Sequence, residues 1–285
     1  MIIYFETKKV TDSILATTPL VEVNAAAVAL ENYSIVFDTT MFPHTGRILR
    51  KQVEKELKKP IKFVIISHFH GDHSFGAKAF KDIPIISSQT YLNNINTTSS
   101  LEWTPEMFIE WKEQEPEKSS LIDEIEIIKP TVVFPESSLI LKDENDLTVH
   151  LHQTGGHTND SLFAWIPSEK TIFSGDLMTN EHPFASDPTC DPDHWITGLK
   201  EILTYDFEHL VPGHGPVIHG KEEVLEFLDF LELFKTRTIE IIDQGLNFKN
   251  INLPNTYQPE NKYVIADNKR YWYDWYQRKM KHWLR

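Results

Sequence analysis

The sequence feature that most constrains the fold is a histidine-rich segment at the end of an apolar run. In VIISHFHGDHSFG, four side chains of metal-ligand type, His68, His70, Asp72 and His73, fall within six residues. Side chains at alternate positions of an extended segment share one face, so we expect His68, His70 and Asp72 to point the same way. A turn into a helix near SFGAKAF would bring His73 back toward them. The segment therefore favours a metal site over a solvated loop, and its lack of thiolates argues against a closed structural zinc site.

Further ligands must come from elsewhere in the chain, because a catalytic zinc usually takes three protein ligands and a water. Three later positions qualify, and each comes at the end of a strand-like run: His157 in TGGHTNDS, Asp176 in TIFSGDLM and His214 in LVPGHGP. Each is next to a glycine, which lets the backbone turn and lets an ion approach closely. These three positions are the predicted partners of the histidine-rich segment.

The rest of the chain alternates β-branched runs with amphipathic segments. In the first third, strand-like runs such as YSIVFDTT and FVIISH flank the helical pattern of HTGRILRKQVEKELKKP. Strand-like runs return in the second half, and two amphipathic helices then flank HLVPGHGPVIHG, which reads as a loop. The pattern predicts one α/β domain over residues 1–245, with a helical insertion at about 91–135 and a C-terminal helical extension, residues 246–285, packed on the same domain.

The order of the short motifs carries a family resemblance. HFHGDH, then GGHT, SGD and PGHG, resembles the metallo-β-lactamase superfamily, and VFDTT resembles its early strand ending in Asp38. The resemblance covers about residues 20–220. It implies a four-layer αββα sandwich with the site at one edge, between the two sheets.

Carried over position by position, the resemblance also implies a ligand set. A first ion would be bound by His68, His70 and His157, and a second by Asp72, His73 and His214, with Asp176 bridging both. Histidine and carboxylate ligands fit two divalent ions, Zn²⁺ first, with iron or manganese as alternatives. Two such ions can share a water as hydroxide, and Asp72 would then orient this nucleophile as well as bind the second ion. Residues next to these ligands, which could orient them or be ordinary turn residues, are Asp38, Ser67 and Thr158.

The resemblance implies hydrolysis of a carbonyl bond. The redox di-iron branch usually has an acid where this sequence has His70, and true di-zinc β-lactamases have Cys where it has Asp176. A thioester, lactone or ester is therefore the leading substrate class. The alternatives are β-lactamase activity, a phosphodiesterase or nuclease of the same superfamily, and a metal-binding protein without turnover.

Charge and composition restrict the partners. Lys and Arg total 28 against 42 Asp and Glu, and the net charge of −14 disfavours a surface that follows nucleic-acid or lipid phosphates. The single cysteine, Cys190, excludes an internal disulfide framework. The sequence starts without a signal-peptide pattern and contains no run of about 18 apolar residues. We expect a cytoplasmic protein with a small-molecule substrate and no nucleic-acid or membrane partner.

Two further segments have competing interpretations. Trp103, Phe108 and Trp111 lie near helical spacing within the predicted insertion, and they either form a wall of the substrate pocket or bury aromatic rings against the core. The aspartates of ASDPTCDPDHW either hold another metal or, more simply, place Asp191 or Asp193 as the cap of a helix that starts near Trp195.

Overall fold

The fold contains two β-sheets with helices on both outer faces. A computed structural model describes residues 5–17, 23–101, 103–135, 137–145, 147–180, 186–253 and 262–283. The first sheet has its strands in chain order: β1 Lys8–Lys9, β2 Ile14–Ala16, β3 Ala26–Ala29, β4 Ser34–Phe37, β5 Ile61–Ile65, β6 Ile85–Ser88 and β7 Val132–Phe134. Strands β1 to β4 pair antiparallel, and β4 to β7 pair parallel.

The second sheet runs in the order β13-β12-β11-β10-β9-β8. Its strands are β8 Ser138–Lys142, β9 Thr148–Gln153, β10 Leu162–Ile166, β11 Thr171–Thr179, β12 His209–His214 and β13 Ile218–His219. All neighbours pair antiparallel except β11 and β12, which are parallel. Since β11 and β12 are parallel, their carboxyl ends lie at the same end of the sheet. The turn between β9 and β10 lies at that end too.

The α-helices of the described residues lie outside the sheets. They are α1 Pro43–Leu57, α2 Gly71–Ser74, α3 Gln89–Leu101, α4 Pro105–Gln114, α5 Ser119–Ile122, α6 Pro192–Thr204, α7 Glu222–Asp243 and α8 Lys262–Trp283. Helix α1 shows why they form: Pro43 sits in its first turn, and Leu49, Val53 and Leu57 recur every four residues on its buried face. It ends at Lys58, whose φ of 54° is left-handed.

Three apolar layers hold these elements together and confirm the predicted four-layer αββα sandwich. Between the sheets, Phe37 of β4 stacks on Phe173 of β11 with ring centroids 4.3 Å apart. On the outer face of the first sheet, Leu49 and Val53 of α1 pack in one cluster with Val64 of β5. The outer face of the second sheet is covered by α6, α7 and α8, which contribute Trp195, Phe227 and Trp272 to a third cluster.

One prediction of local structure is wrong. HLVPGHGPVIHG was expected to be a loop because of its prolines and glycines, yet it forms β12 and β13. Leu210 and Val211 are buried, and β12 pairs along β11 over its whole length. Burial between the neighbouring strand and the core therefore outweighs the low strand propensity of Pro212 and Gly213.

The predicted insertion and the predicted C-terminal extension both contain helices that belong to the elements above. The range 91–135 contains most of α3, all of α4 and α5, and finally β7, which pairs with β6 in the first sheet. In the C-terminal range, α8 packs on α7, where Trp272 stacks on Phe234 at a centroid distance of 4.4 Å.

The length and apolar character of the helices bear on whether the chain could span a membrane. Within the described ranges, none combines the length and the apolar character needed to cross a bilayer.

Candidate metal centre

The site lies where strand ends from the two sheets meet. In the first sheet, β4 leads into Asp38 and β5 leads into the segment from Ser67 to His73. In the second sheet, His157 lies in the turn between β9 and β10, Asp176 lies within β11, and His214 is the last residue of β12. The sandwich thus brings together residues that are far apart in sequence.

The seven predicted ligands form two adjoining clusters. Within each cluster, one ligand-type atom per residue lies within 4.8 Å of the others. The first cluster is His68, His70, His157 and Asp176, and the second cluster is Asp72, His73 and His214. Asp176 lies between them, since its Oδ2 is 3.3 Å from His157 Nε2 and 3.4 Å from His214 Nε2, while its Oδ1 is 3.0 Å from His73 Nε2.

A single helical turn brings His73 into the centre. Helix α2 begins at Gly71, directly after His70, and the amide of Ser74 donates to the carbonyl of His70 at 3.1 Å. The predicted turn therefore exists, but it starts before SFGAKAF, which forms a 3₁₀ helix from Phe75 to Phe80. With this turn between them, His70 faces His157 and His73 faces Asp176, so both rings border the same space.

Gly213 is required by the approach of β12 to β11. A Cβ atom at this position would lie only 1.8 Å from Asp176 Oδ1. Any larger residue would push away the carboxylate that joins the two clusters. Gly213, the first glycine of PGHG, is therefore required for steric reasons.

Asp38 orients His73 directly and His68 through Ser67, on the side of each ring that faces away from the centre. Its carboxylate accepts from the Ser67 amide at 2.7 Å, from Ser67 Oγ at 2.8 Å and from His73 Nδ1 at 2.8 Å. Since Ser67 Oγ donates to Asp38, it accepts from His68 Nδ1, 2.9 Å away. Both Nδ1 atoms therefore carry the proton, and Nε2 of His68 and of His73 is left facing the centre.

Asp187 orients His70, and the sequence analysis did not find it. His70 Nε2 donates to Asp187 Oδ2 at 2.9 Å, which leaves His70 Nδ1 facing His157 Nε2 at 3.0 Å. Asp187 Oδ1 in turn accepts from Thr189 Oγ1 at 2.7 Å. The signal was the ASDPT motif, an Asp-x-Thr turn, but nothing in the sequence places it beside a histidine 117 residues away.

Three buried atoms of the clusters show that the residues fit metal ions. His68 Nε2 is buried and has no hydrogen-bond partner, while His73 Nε2 and Asp176 Oδ1 are buried and face each other at 3.0 Å. An orphaned atom such as His68 Nε2 is costly in a folded protein unless something binds it. Imidazole nitrogens and a carboxylate oxygen are ligands for Zn²⁺, Fe²⁺ or Mn²⁺, so a cation that displaces the proton of His73 could be bound by all three atoms.

Burial and charge set the protonation of the first cluster. Burial lowers the pKa of His157 to about 4, against the opposing charge of Asp176. Burial and the neighbouring His73 lower the pKa of His68 well below its ordinary value. Both imidazoles are thus neutral at pH 7 and can offer a lone pair. His70 differs, because its bond to Asp187 outweighs burial and raises its pKa.

The second cluster is protonated differently. Burial alone would lower the pKa of His214, but the charges of Asp176 and Asp72 outweigh it and raise that pKa to about 10. The same two carboxylates, with Asp38, raise the pKa of His73 well above its ordinary value against the effect of burial. In the metal-free protein these histidines are held as ion pairs with carboxylates.

Among the described residues of the centre, three ligands are fully buried and three are partly exposed. His68, His73 and His157 are at most 1% exposed. The side chains of His70 and Asp72 are each 26% exposed, and that of His214 is 17% exposed. A substrate would therefore approach along the side formed by His70, Asp72 and His214.

The predicted aromatic residues do not form one helical stripe. Trp103 precedes α4 and packs edge-on against Phe75, with centroids 4.8 Å apart. Phe108 and Trp111 lie on α4, where Trp111 stacks against Phe42 at 5.7 Å. These contacts are those of rings packing on the body, and a role in substrate binding stays a prediction.

The other predicted residues have structural partners. Thr158 Oγ1 donates to Asp160 Oδ1 at 2.6 Å and shapes the turn that carries His157. Of the two predicted cap residues, Asp191 caps α6, by accepting from the amides of Asp193 and His194 at 3.0 Å. Helix α6 begins at Pro192 rather than near Trp195, because the cap lies earlier.

Comparison with known proteins gives matches over most of the chain. The family model described as the metallo-beta-lactamase superfamily matches residues 18–214. The linear primary-alkylsulfatase of Pseudomonas sp. (strain ATCC 19151) is 23% identical over 74% of this chain and 46% of its own length. The chain thus spans about half the length of that curated relative.

Two solved structures show the same fold. The stereoselective inverting sec-alkylsulfatase Pisa1 from Pseudomonas sp. has a TM-score of 0.74 at 16% identity, over 94% of this chain and 50% of that one. A metallo-beta-lactamase from Pontibacter korlensis has a TM-score of 0.61 at 17% identity, over 80% of this chain and 99% of that one.

Proposed function

The chain belongs to the metallo-β-lactamase superfamily, and from that premise we propose that it is a binuclear metal-dependent hydrolase of a small-molecule ester, thioester or lactone. The observation that carries the proposal is the pair of clusters joined by Asp176, in which the buried His68 Nε2 has no hydrogen-bond partner. Such an arrangement has the donor set of a two-metal hydrolytic site.

In this proposal the clusters hold two divalent ions, with Zn²⁺ as the first choice. When bound, the ions would lower the pKa of a water and polarise the carbonyl oxygen of the substrate. His68, His70 and His157 would hold one ion and Asp72, His73 and His214 the other. Asp176 would contact both, since its two oxygens face histidines of both clusters.

Asp72 is proposed to orient the nucleophile. Its side chain is 26% exposed and lies on the open side, with Oδ2 3.4 Å from His214 Nε2 and 3.6 Å from His73 Nε2. Burial would raise its pKa, but the charges of His73 and His214 outweigh burial and hold that pKa well below its ordinary value. Its carboxylate is therefore ionised at neutral pH and can orient the attacking water by accepting a hydrogen bond from it.

The thiol of the chain does not offer an alternative nucleophile. Cys190 is buried in the cluster under α6, α7 and α8, and burial raises the pKa of its thiol. A protonated, buried thiol is a poor nucleophile. This supports attack by water rather than a covalent cysteine route.

A sulfate ester is the second candidate substrate. The alkylsulfatase structure aligns with 94% of this chain, whereas the β-lactamase structure aligns with 80%. The alkylsulfatase fold therefore accounts for more of the chain, although the relative is about twice as long. A β-lactam remains a further alternative within the same superfamily.

A substrate panel with metal analysis tests the proposal. Metal-loaded protein is assayed on p-nitrophenyl acetate, a thioester, a lactone, a β-lactam, bis(p-nitrophenyl) phosphate and an alkyl sulfate. The proposal expects about two ions per chain and turnover of a carbonyl substrate that is lost in Asp72→Ala. Asp206→Ala, which removes an exposed carboxylate paired with Lys170, is the matched control and should retain activity. Turnover confined to the sulfate or phosphate substrate would overturn the carbonyl assignment.

A further inference from the structure

A cavity of about 780 Å³ lies between α8 and the turn that carries His157. Its walls come from the β9–β10 turn, from the segment after Asp187 and from one face of α8. The wall residues used below are Asn159, Thr189, Trp275, Arg278 and Lys279. The metal centre and this cavity thus share the same turn, and His157 is directed into the centre.

Helix α8 presents its aromatic and cationic side chains to the cavity because of helical spacing. Trp275, Arg278 and Lys279 are three and four residues apart, so they lie on one face of the helix. The neighbouring face carries Trp272 and Tyr276, which are buried against α7. The packing of these two rings therefore fixes which side of α8 faces the cavity.

Of the two cations on this face, Lys279 is neutralised and Arg278 is not. Lys279 Nζ pairs with Asp193, which also accepts from Lys235 Nζ at 2.7 Å and from Tyr276 Oη at 2.8 Å. Arg278 is exposed, and it has no ion pair or hydrogen bond within the part of the chain that the structure describes. It is an uncompensated guanidinium at the cavity wall of a chain whose net charge is −14.

The cavity wall is connected to the metal centre by hydrogen bonds. Thr189 Oγ1 donates to Asp187 Oδ1 at 2.7 Å, and Asp187 Oδ2 accepts from His70 Nε2 at 2.9 Å. Next to Thr189 in the same wall, the amide of Asn159 donates to Thr189 Oγ1 at 3.3 Å. Only two hydrogen bonds separate the cavity wall from His70, which belongs to the open side of the centre.

We propose that this cavity recognises the anionic end of the substrate, and that Arg278 binds the carboxylate, sulfate or phosphate group of a molecule whose other end is cleaved at the metal centre. The planar guanidinium matches these oxyanions with two parallel N–H donors. The part of the Trp275 ring that Lys279 Nζ, 4.6 Å from its centroid, does not cover would contact the apolar part of the same molecule. The inference rests on the proposed function for its cleavage step, and on the cavity and Arg278 for its binding step.

Binding is tested separately from turnover with one variant and one matched control. Arg278→Gln removes the charge at the cavity. Arg270→Gln removes an exposed arginine of the same helix that pairs with Asp267 at 3.7 Å and does not line the cavity. Calorimetric titration of the zinc-loaded proteins uses glutarate, propyl phosphate and propyl sulfate as three separate probes.

At least one probe is expected to bind the wild type and the Arg270 variant alike, and to bind Arg278→Gln about tenfold more weakly. The probe that responds most identifies the anionic group. The anions can also contact zinc, so the readout is the loss that depends on Arg278. Equal binding of all three probes to both variants, or no binding to the wild type, overturns the anion site.

Turnover is tested with two esters that share a leaving group, p-nitrophenyl butyrate and mono-p-nitrophenyl glutarate. Arg278→Gln should lower kcat/KM about tenfold for the charged ester and less than about twofold for the neutral one. Equal losses on both esters would overturn the role in recognition. If no variant cleaves either ester while probe binding still depends on Arg278, the carbonyl function is wrong and the anion site stands.

Discussion

The two clusters of the metal centre use the same kinds of side chain but hold their protons differently. In the first cluster, burial lowers the pKa of His157 to about 4, so its imidazole is neutral at pH 7. In the second cluster, the carboxylates outweigh burial and raise the pKa of His214 to about 10, so its ring is protonated. A metal ion entering the first cluster meets neutral imidazoles at His68 and His157, whereas one entering the second must displace protons from His73 and His214. The difference shows that carboxylates bonded directly to a histidine can outweigh its burial and decide whether a metal ion must displace a proton to bind it.

The carboxylates behind the clusters differ as well. Asp38 is 5% exposed, and its oxygens accept three hydrogen bonds from the first sheet and His73. Asp187 lies in the segment before α6, and its side chain is 18% exposed. Asp38 is therefore part of the folded core, while Asp187 supports a single histidine from a loop.

Removing the carboxylate shared by both clusters should have the largest effect. Asp176→Ala deletes oxygens that lie within 3.4 Å of His73, His157 and His214, so both clusters should lose affinity. We expect the metal content to fall from about two ions to below one, and activity to fall by more than about a hundredfold. Plasma emission spectrometry and steady-state kinetics measure the two effects, with Asp206→Ala as the control. Loss of one ion alone would show that Asp176 belongs to a single cluster.

Replacing Asp38 should mainly destabilise the fold. Asp38→Ala leaves His73 Nδ1, the Ser67 amide and Ser67 Oγ without their acceptor, at about 1–3 kcal/mol for each donor that stays buried. Asp38→Asn keeps one oxygen and tolerates the left-handed φ of 57°, so its loss should be smaller. Urea unfolding of the metal-free proteins measures both. An Asp38→Ala variant as stable as the wild type would remove the distinction from Asp187.

Replacing Asp187 should weaken metal binding and leave the fold intact. Asp187→Ala frees His70 Nε2 from its 2.9 Å bond, so the ring can rotate, and we expect the affinity for the first ion to fall about 10- to 100-fold. Competition with a chromophoric chelator measures the affinity, and the thermal midpoint should stay within about 3 °C of the wild type. A large loss of midpoint with unchanged affinity would instead make Asp187 a residue of the fold.

The pH dependence of the metal-free protein should show the two clusters separately, with the smallest effect. The folded pKa of His157 is below 6.5, so stability is lost as pH falls from 6.5 toward about 4. The folded pKa of His214 is above 6.5, so its contribution is complete below 6.5 and is lost as pH rises toward about 10. His214→Gln should make only the alkaline decline shallower, as measured by urea midpoints from pH 5 to pH 10. An unchanged alkaline decline would contradict the ion pairs of the second cluster.

Local sequence patterns were sufficient to predict most of the residues of the site. The spacing in HFHGDH and the glycines beside His157, Asp176 and His214 identified all seven residues that the structure brings together. The helix cap at Asp191 was also readable, because an Asp before Pro-Asp is a local signal. Patterns of this kind depend on residues a few positions apart, which the sequence shows directly.

Interactions between distant segments could not be read in the same way. Asp187 beside His70, Arg278 at the cavity wall and the pairing of β12 with β11 all join segments that lie far apart in the chain. The β12 segment was misread because its proline and glycines are local signals for a loop, and only its burial beside β11 makes it a strand.

The sequence by itself determined which residue types could bind metal and in what order they occur along the chain. Only the tertiary structure decided which nitrogen of each histidine faces the centre and which histidines hold a proton. Tautomer and protonation depend on carboxylates such as Asp38, Asp187 and Asp176, whose positions around each ring are set by the packing of two sheets. Electrostatic energies depend on the distance between charges in space, and the separation of two residues along the chain does not determine that distance.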